Sequence, residues 1–228
     1  MTVSIDFLLY PPDPACHFSA STFQTGAPMF SKSTKFNVLL AAAALAPSLA
    51  FAHTGVGQTV GFLHGFSHPV SGLDHVLAMV LVGLIAWQIG GRALWLVPLT
   101  FVSVMAIGGA LGMMGIAVPF VEAGIALSVI VLGAVVALGI QAPVAIAAAI
   151  VGLFAIFHGH AHGSEMPAAA GGLAYAAGFM LATAALHLAG IGLGYLIGKV
   201  SERRGAVIAR SAGGIAALAG VALLTGLV

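Results

Sequence analysis

HPVSGLDHVLAMVLVGLIAWQIG, residues 68–90, sets the character of the chain. From Val76 onward no charged side chain interrupts it. Its first eight residues carry two imidazoles and a carboxylate, His68, Asp74 and His75. A bilayer core needs about 20 consecutive apolar residues to cross. Ionisable groups set in or beside such a run are costly and mark functional positions. A second window, residues 158–165, repeats the arrangement with His158, His160, His162 and Glu165 after another long apolar run.

The rest of the composition agrees. Of 228 residues, 61% are hydrophobic and only 6% charged, against roughly 25% charged in a soluble domain. Such a chain cannot cover a water-facing surface, so the expected fold class is all-α, a polytopic membrane helical bundle with six transmembrane helices after a cleaved signal peptide. The lipid bilayer is its first partner, and the glycine-rich spans leave room for a homo-oligomer. A formal net charge of +1, without a basic or basic-aromatic run, excludes nucleic acid as a partner. Cys16 is the only cysteine. If the segment that carries it is removed, no disulfide, thiolate metal site or iron–sulfur cluster is available.

Residues 29–52 read as a signal peptide. Lys32 and Lys35 form the basic start, a short apolar core follows, and Ala50-Phe51-Ala52 is the cleavage site. Residues 1–28, with Pro11, Pro12, Pro14 and no periodicity, read either as a non-native extension, with translation starting at Met29, or as a long disordered leader starting at Met1. Cleavage after Ala52 would leave residues 53–228 as the working domain. His53 would then be the first residue, where a terminal amine and its own Nδ1 can chelate a metal.

Six apolar stretches follow, at 70–90, 93–114, 121–140, 143–162, 168–198 and 206–227. The fifth is long enough to tilt, or to begin on the surface. With an exported N-terminus, alternation puts Arg92, Lys199, Arg203, Arg204 and Arg210 on the cytoplasmic side, as the positive-inside rule requires. Glu122, Glu165 and both histidine windows fall on the outer side, and both mature termini are periplasmic. Gly190, Gly194 and Gly198, and likewise Gly108 and Gly112 with Gly109, have the spacing of close helix contacts.

At 100° per residue, His68 and His75 fall about 20° apart on one helix face. Pro69 favours the first turn of a helix, which puts His68 at the cap and His64 before it. Asp74 either completes a site with His68 and His75 or orients one imidazole from behind. Met79 is a core methionine or a thioether donor. His158, His162 and Glu165 follow helical spacing on one stripe, with His160 on the opposite side and Gly159 and Gly163 weakening the helix. Imidazole with carboxylate suits nickel, cobalt and zinc. His187 in the fifth span is either a helix contact or a further ligand, and Glu122 reads as an interfacial residue.

The pattern His68-x5-Asp74-His75, together with FHGHAHGSE at 157–165 and LHLAGIGLG at 186–194, resembles the HupE/UreJ permeases over the whole mature chain. That resemblance implies a secondary permease for nickel, or cobalt, across the cytoplasmic membrane, serving nickel enzymes such as hydrogenase or urease. It implies metal recognition by His68, Asp74 and His75. His158, His162 and Glu165 would form a second station, with His160 less central. His53, His64 and His187 are weaker candidates. No bound cofactor is expected: the metal, Ni2+ or Co2+, is the transported substrate. Uptake should weaken as pH falls through roughly 6.5, because imidazole must be neutral to bind.

Two other classes compete. A zinc-dependent intramembrane hydrolase uses a similar ligand inventory, but the sequence holds neither HExxH nor GxSxG. A bis-histidine haem protein needs histidines facing each other at matched depth across spans, whereas these cluster at span ends.

Overall fold

The computed structural model describes residues 61–167, 171–200 and 202–227. The signal segment, its cleavage site and His53 lie outside the described residues. Seven helices follow in order among them: α1 Gly61–Ser71, α2 Leu73–Ile89, α3 Ala93–Met113, α4 Val121–Leu138, α5 Val144–Ser164, α6 Gly172–Val200 and α7 Glu202–Leu224. Five of them are long and apolar enough to cross a membrane, and a sixth span results if α1 and α2 are one broken span. The 21 residues of α3 and of α5 reach about 31 Å at 1.5 Å per residue, close to the hydrocarbon thickness. Large apolar side chains such as Trp95, Ile107, Leu153, Leu188 and Leu218 point outward. Water-exposed surfaces rarely carry so much contiguous apolar area; lipid accounts for it.

Helix ends follow from local chemistry. Gly90 and Gly139 sit at positive φ (72° and 65°) and close α2 and α4, the conformation in which glycine carries no Cβ penalty. Pro143 precedes α5, where a missing N–H costs nothing. Gln141 donates to the Gln88 carbonyl and Gln88 to the Val136 carbonyl, each at 3.2 Å. These bonds tie the α4–α5 loop to the end of α2, next to the turn that bears Arg92.

The first span departs from the sequence expectation. Pro69 does not open a helix but lies inside α1, which contains both His64 and His68. The chain breaks at Gly72, and α1 and α2 meet at 82°. His68 and His75 therefore do not share one helix face. Gly72 is extended (φ −101°, ψ 127°), and a Cβ there would stand 2.6 Å from the Asp74 carboxylate and 3.3 Å from His75 Nδ1. The break is where the carboxylate folds back on the chain.

The helices join in glycine-lined seams. Gly108 and Gly112 of α3 abut the Ile156 and His160 carbonyls of α5, and Gly159 and Gly163 of α5 abut the Met105 and Gly109 carbonyls of α3. Gly65 and Gly178 do the same between α1 and α6, Gly83 and Gly190 between α2 and α6, and Gly133 and Gly213 between α4 and α7. These four pairs are also the most extensive helix contacts. The described helices thus form three backbone-locked blocks: α1 with α2 and α6, α3 with α5, and α4 with α7. Gly194 and Gly198 instead receive the Trp87 indole. The glycine series are packing features, as their spacing suggested.

Candidate functional site

The histidines gather where the three blocks meet. From α1 come His64 and His68, one turn apart with rings 6.1 Å between centroids. The first turn of α2 supplies Asp74 and His75. From α5 come His158 and His162, and Glu165 caps its C-terminus. The His75 ring lies 4.8 Å from His158 and 4.6 Å from His162, and His68 lies 5.0 Å from His162. Helix α5 stays regular through Ser164 despite Gly159 and Gly163, because those glycines face α3. His158 and His162, about 40° apart on the helix, face the cluster and are fully buried.

Hydrogen bonds decide which ring nitrogens are lone-pair donors. The Asp74 carboxylate accepts the His75 backbone N–H at 2.7 Å and sits 2.9 Å from His75 Nδ1. An ionised carboxylate only accepts, so Nδ1 carries the proton and Nε2 the lone pair. His75 Nε2 is buried with no hydrogen-bond partner. Ser128 of α4 makes the same selection at His158. Its hydroxyl proton goes to the Ile125 carbonyl at 2.6 Å, so its oxygen must accept from His158 Nε2, 2.8 Å away. The His158 lone pair is then on Nδ1, which is also buried and unpartnered. His162 stacks on Phe179 at 5.3 Å with neither nitrogen bonded. Three imidazoles thus carry ring nitrogens without a protein partner, with the His158 and His162 rings 4.8 Å and 4.6 Å from that of His75.

At the outer edge His68 Nε2 donates to Glu165 at 2.8 Å. That bond holds the Glu165 carboxyl below its ordinary range against the opposing effect of partial burial. A cavity of about 190 Å³ lies here, lined by His68, Asp74, His75, Glu122 and Glu165 among others. A second, of about 440 Å³, reaches Asp74 and Glu122 from the C-terminal end of α7 at Leu223 and Leu224. Glu122 was read as an interfacial residue; it lines both cavities with Asp74. Its place on the same predicted side as both windows was the available signal. Ser128 gave none, being an ordinary serine in an apolar span.

Other candidates fall elsewhere. His160, at 9% exposure, turns away and bonds the Ile116 carbonyl in the α3–α4 loop at 2.8 Å. His64 lies beside Tyr175 at 5.8 Å, with Nδ1 buried and unpartnered. His187 sits behind Phe101, apart from the cluster. Met79 is completely buried in the apolar core. Among the described residues no group of three or more His, Cys, Asp or Glu is set as a ready coordination sphere. The rings meet edge-on or tilted, so gathering three donors on one ion requires them to turn.

A model of the HupE / UreJ protein family matches residues 40–223. The chain belongs to the HupE/UreJ family. Its similarity to Protein HupE of Rhizobium leguminosarum bv. viciae is 53% identity over 196 residues, covering 86% of this chain and 100% of that protein. No solved structure matches. In this HupE/UreJ chain the signature windows seen in sequence are the two halves of one buried imidazole cluster, divided between blocks.

Proposed function

We propose that this HupE/UreJ protein is a secondary permease that takes up divalent nickel, or cobalt, across the cytoplasmic membrane and so supplies nickel enzymes such as hydrogenase or urease. The observation that carries this reading is the trio His75, His158 and His162. Each has a buried ring nitrogen free of any protein partner. Burying such atoms costs about 1–3 kcal/mol each, a cost that ligation to a borderline divalent ion offsets. Family membership supports the same reading.

In this mechanism the outer carboxylates Glu122, Glu165 and Asp74 attract the hydrated dication into the cavity at the helix break. His68 and His75 exchange for waters first. His162 and His158 then take the ion deeper, their lone pairs oriented by packing on Phe179 and by Ser128. A membrane potential favours inward movement by about 2.3 kcal/mol per charge per 100 mV, and the sequence holds no nucleotide-binding motif to supply another drive. The outer face of the cluster is the periplasmic one, by the positive-inside distribution of the five basic residues. A zinc hydrolase instead needs three ligands fixed around one ion with an open fourth position. The divided donor set described above favours transient handling.

The test is accumulation of radioactive nickel at trace concentration in cells expressing His75→Ala or Asp74→Ala. Both variants should lose uptake; parental uptake in both at equal membrane abundance would defeat the assignment.

A further inference from the structure

Beyond the cluster the rings continue inward. His75 contacts His158 at 4.8 Å, His158 contacts Phe101 at 5.7 Å, and Phe101 contacts His187 edge-on at 5.1 Å. His187 belongs to α6, deep in the bundle, at 1% exposure, and both of its ring nitrogens are buried without a hydrogen-bond partner. An apolar side chain of similar size would fill the same space without leaving polar atoms unpaired. A packing role alone therefore gives no reason for histidine. One turn earlier on the same face, the buried Thr183 hydroxyl donates to Met105 Sδ of α3 at 3.5 Å, leaving its oxygen lone pairs unengaged. His187 also borders a cavity of about 290 Å³ between α3 and α6 that includes Leu94, Trp95 and Pro98. Those residues belong to the first two turns of α3, next to Arg92. The cavity is an apolar groove that opens beside the outward-facing Trp95, Leu99 and Leu188, on the part of α3 nearer the basic end.

We infer that His187 is an inner binding station for the transported divalent cation, next after His158 along the ring contacts that pass through Phe101. The inference rests on the permease reading and deepens it. The Phe101 ring packs against both His158 of the cluster and His187. An ion in the outer cluster is held by several imidazoles. At His187 one imidazole and the Thr183 hydroxyl receive it, so it binds more weakly there than among several imidazoles.

The experiment compares His187→Leu, His187→Gln and His162→Ala in the full chain. Radioactive nickel uptake is measured in cells at equal membrane abundance, and nickel binding and thermal unfolding on the purified protein. Leucine removes the unpaired polar atoms, so that variant should unfold at or above the parental temperature. Both His187 variants should take up nickel about tenfold or more slowly while binding it at the outer cluster within about twofold of the parent, a translocation defect without a binding defect. Parental uptake by a folded His187→Leu or His187→Gln would overturn the inner station. So would a binding loss that matches the uptake loss. His162→Ala should lose binding and uptake together. If it retains both, the outer cluster is not on the path, and the permease mechanism fails independently of His187.

Discussion

Ser128 offers a sharp test, because it is fully buried and carries no charge yet fixes a proton on His158. Its hydroxyl has one proton, donated to the Ile125 carbonyl at 2.6 Å, and its oxygen takes the His158 Nε2 proton at 2.8 Å. Ser128→Ala removes a group at zero exposure and leaves no acceptor at that position. His158 then either buries an unpaired N–H, costing about 1–3 kcal/mol, or moves its proton to Nδ1, the atom that should face the ion. Groups that orient a ligating histidine are typically worth 10–100-fold in metal affinity. A neutral hydroxyl belongs at the low end, so the expected loss is about tenfold, or about 1.4 kcal/mol. Nickel binding to the purified protein reports this directly, and uptake should follow it at subsaturating nickel. Ser128→Thr keeps the oxygen and should recover most of the affinity if its methyl is accommodated. An unchanged nickel affinity in folded Ser128→Ala would refute the tautomer argument. Reduced affinity in Ser128→Thr equal to that of the alanine variant would show that packing is what matters there.

Four further outcomes follow from the geometry. Initial uptake should fall steadily as external pH drops below neutral, because protons compete with the ion for imidazole lone pairs; a flat profile between pH 7 and 5.5 would contradict imidazole ligation. Glu165 does not set that loss. Its folded carboxyl is held below the ordinary value by His68, so the stability it contributes is complete above an unfolded value of about 4.3 and disappears only as pH falls through the lower folded value, which thermal unfolding at pH 3–7 would show. His160→Ala should leave nickel affinity close to parental while His162→Ala abolishes it, since His160 bonds the Ile116 carbonyl; equal losses in a binding assay would put His160 back among the ligands. Gly163→Val should prevent stable folding, as its side chain would occupy the Gly109 carbonyl of α3, where overpacking costs about 1–3 kcal/mol or more; a parental melting temperature would argue against the seam.

The membrane fold was legible because hydrocarbon thickness imposes a length on every span, and Gly90, Gly139 and Pro143 mark ends with local chemistry. The break at Gly72 was not. Pro69 is favourable in a first turn, and nothing local distinguishes that from its place inside α1, where the contacts of α1 with α6 decide. Helical phase pairs His68 and His75 on one face, yet both reach His162 instead, from two helices that meet at 82°. His158 and His162 were placed correctly by phase, as was the opposite direction of His160. Ser128 lies 30 residues from His158, and only tertiary packing brings such a pair together. His53 lies outside the described residues.

The three glycine-seamed blocks give the site a mechanical meaning. His68, Asp74 and His75 belong to the first block, His158 and His162 to the second, and Ser128 and Glu122 to the third. Inside each block the glycine seams rest backbone on backbone. At the site the contacts between blocks are side chains, which slide and re-rotamer. An ion held by His75 and His162 is therefore a rivet through two otherwise separable bodies, and its arrival or departure changes which bodies move together. Occupancy of the site should consequently be readable far from it, as a change in how α3 and α5 shift against α2 and α6.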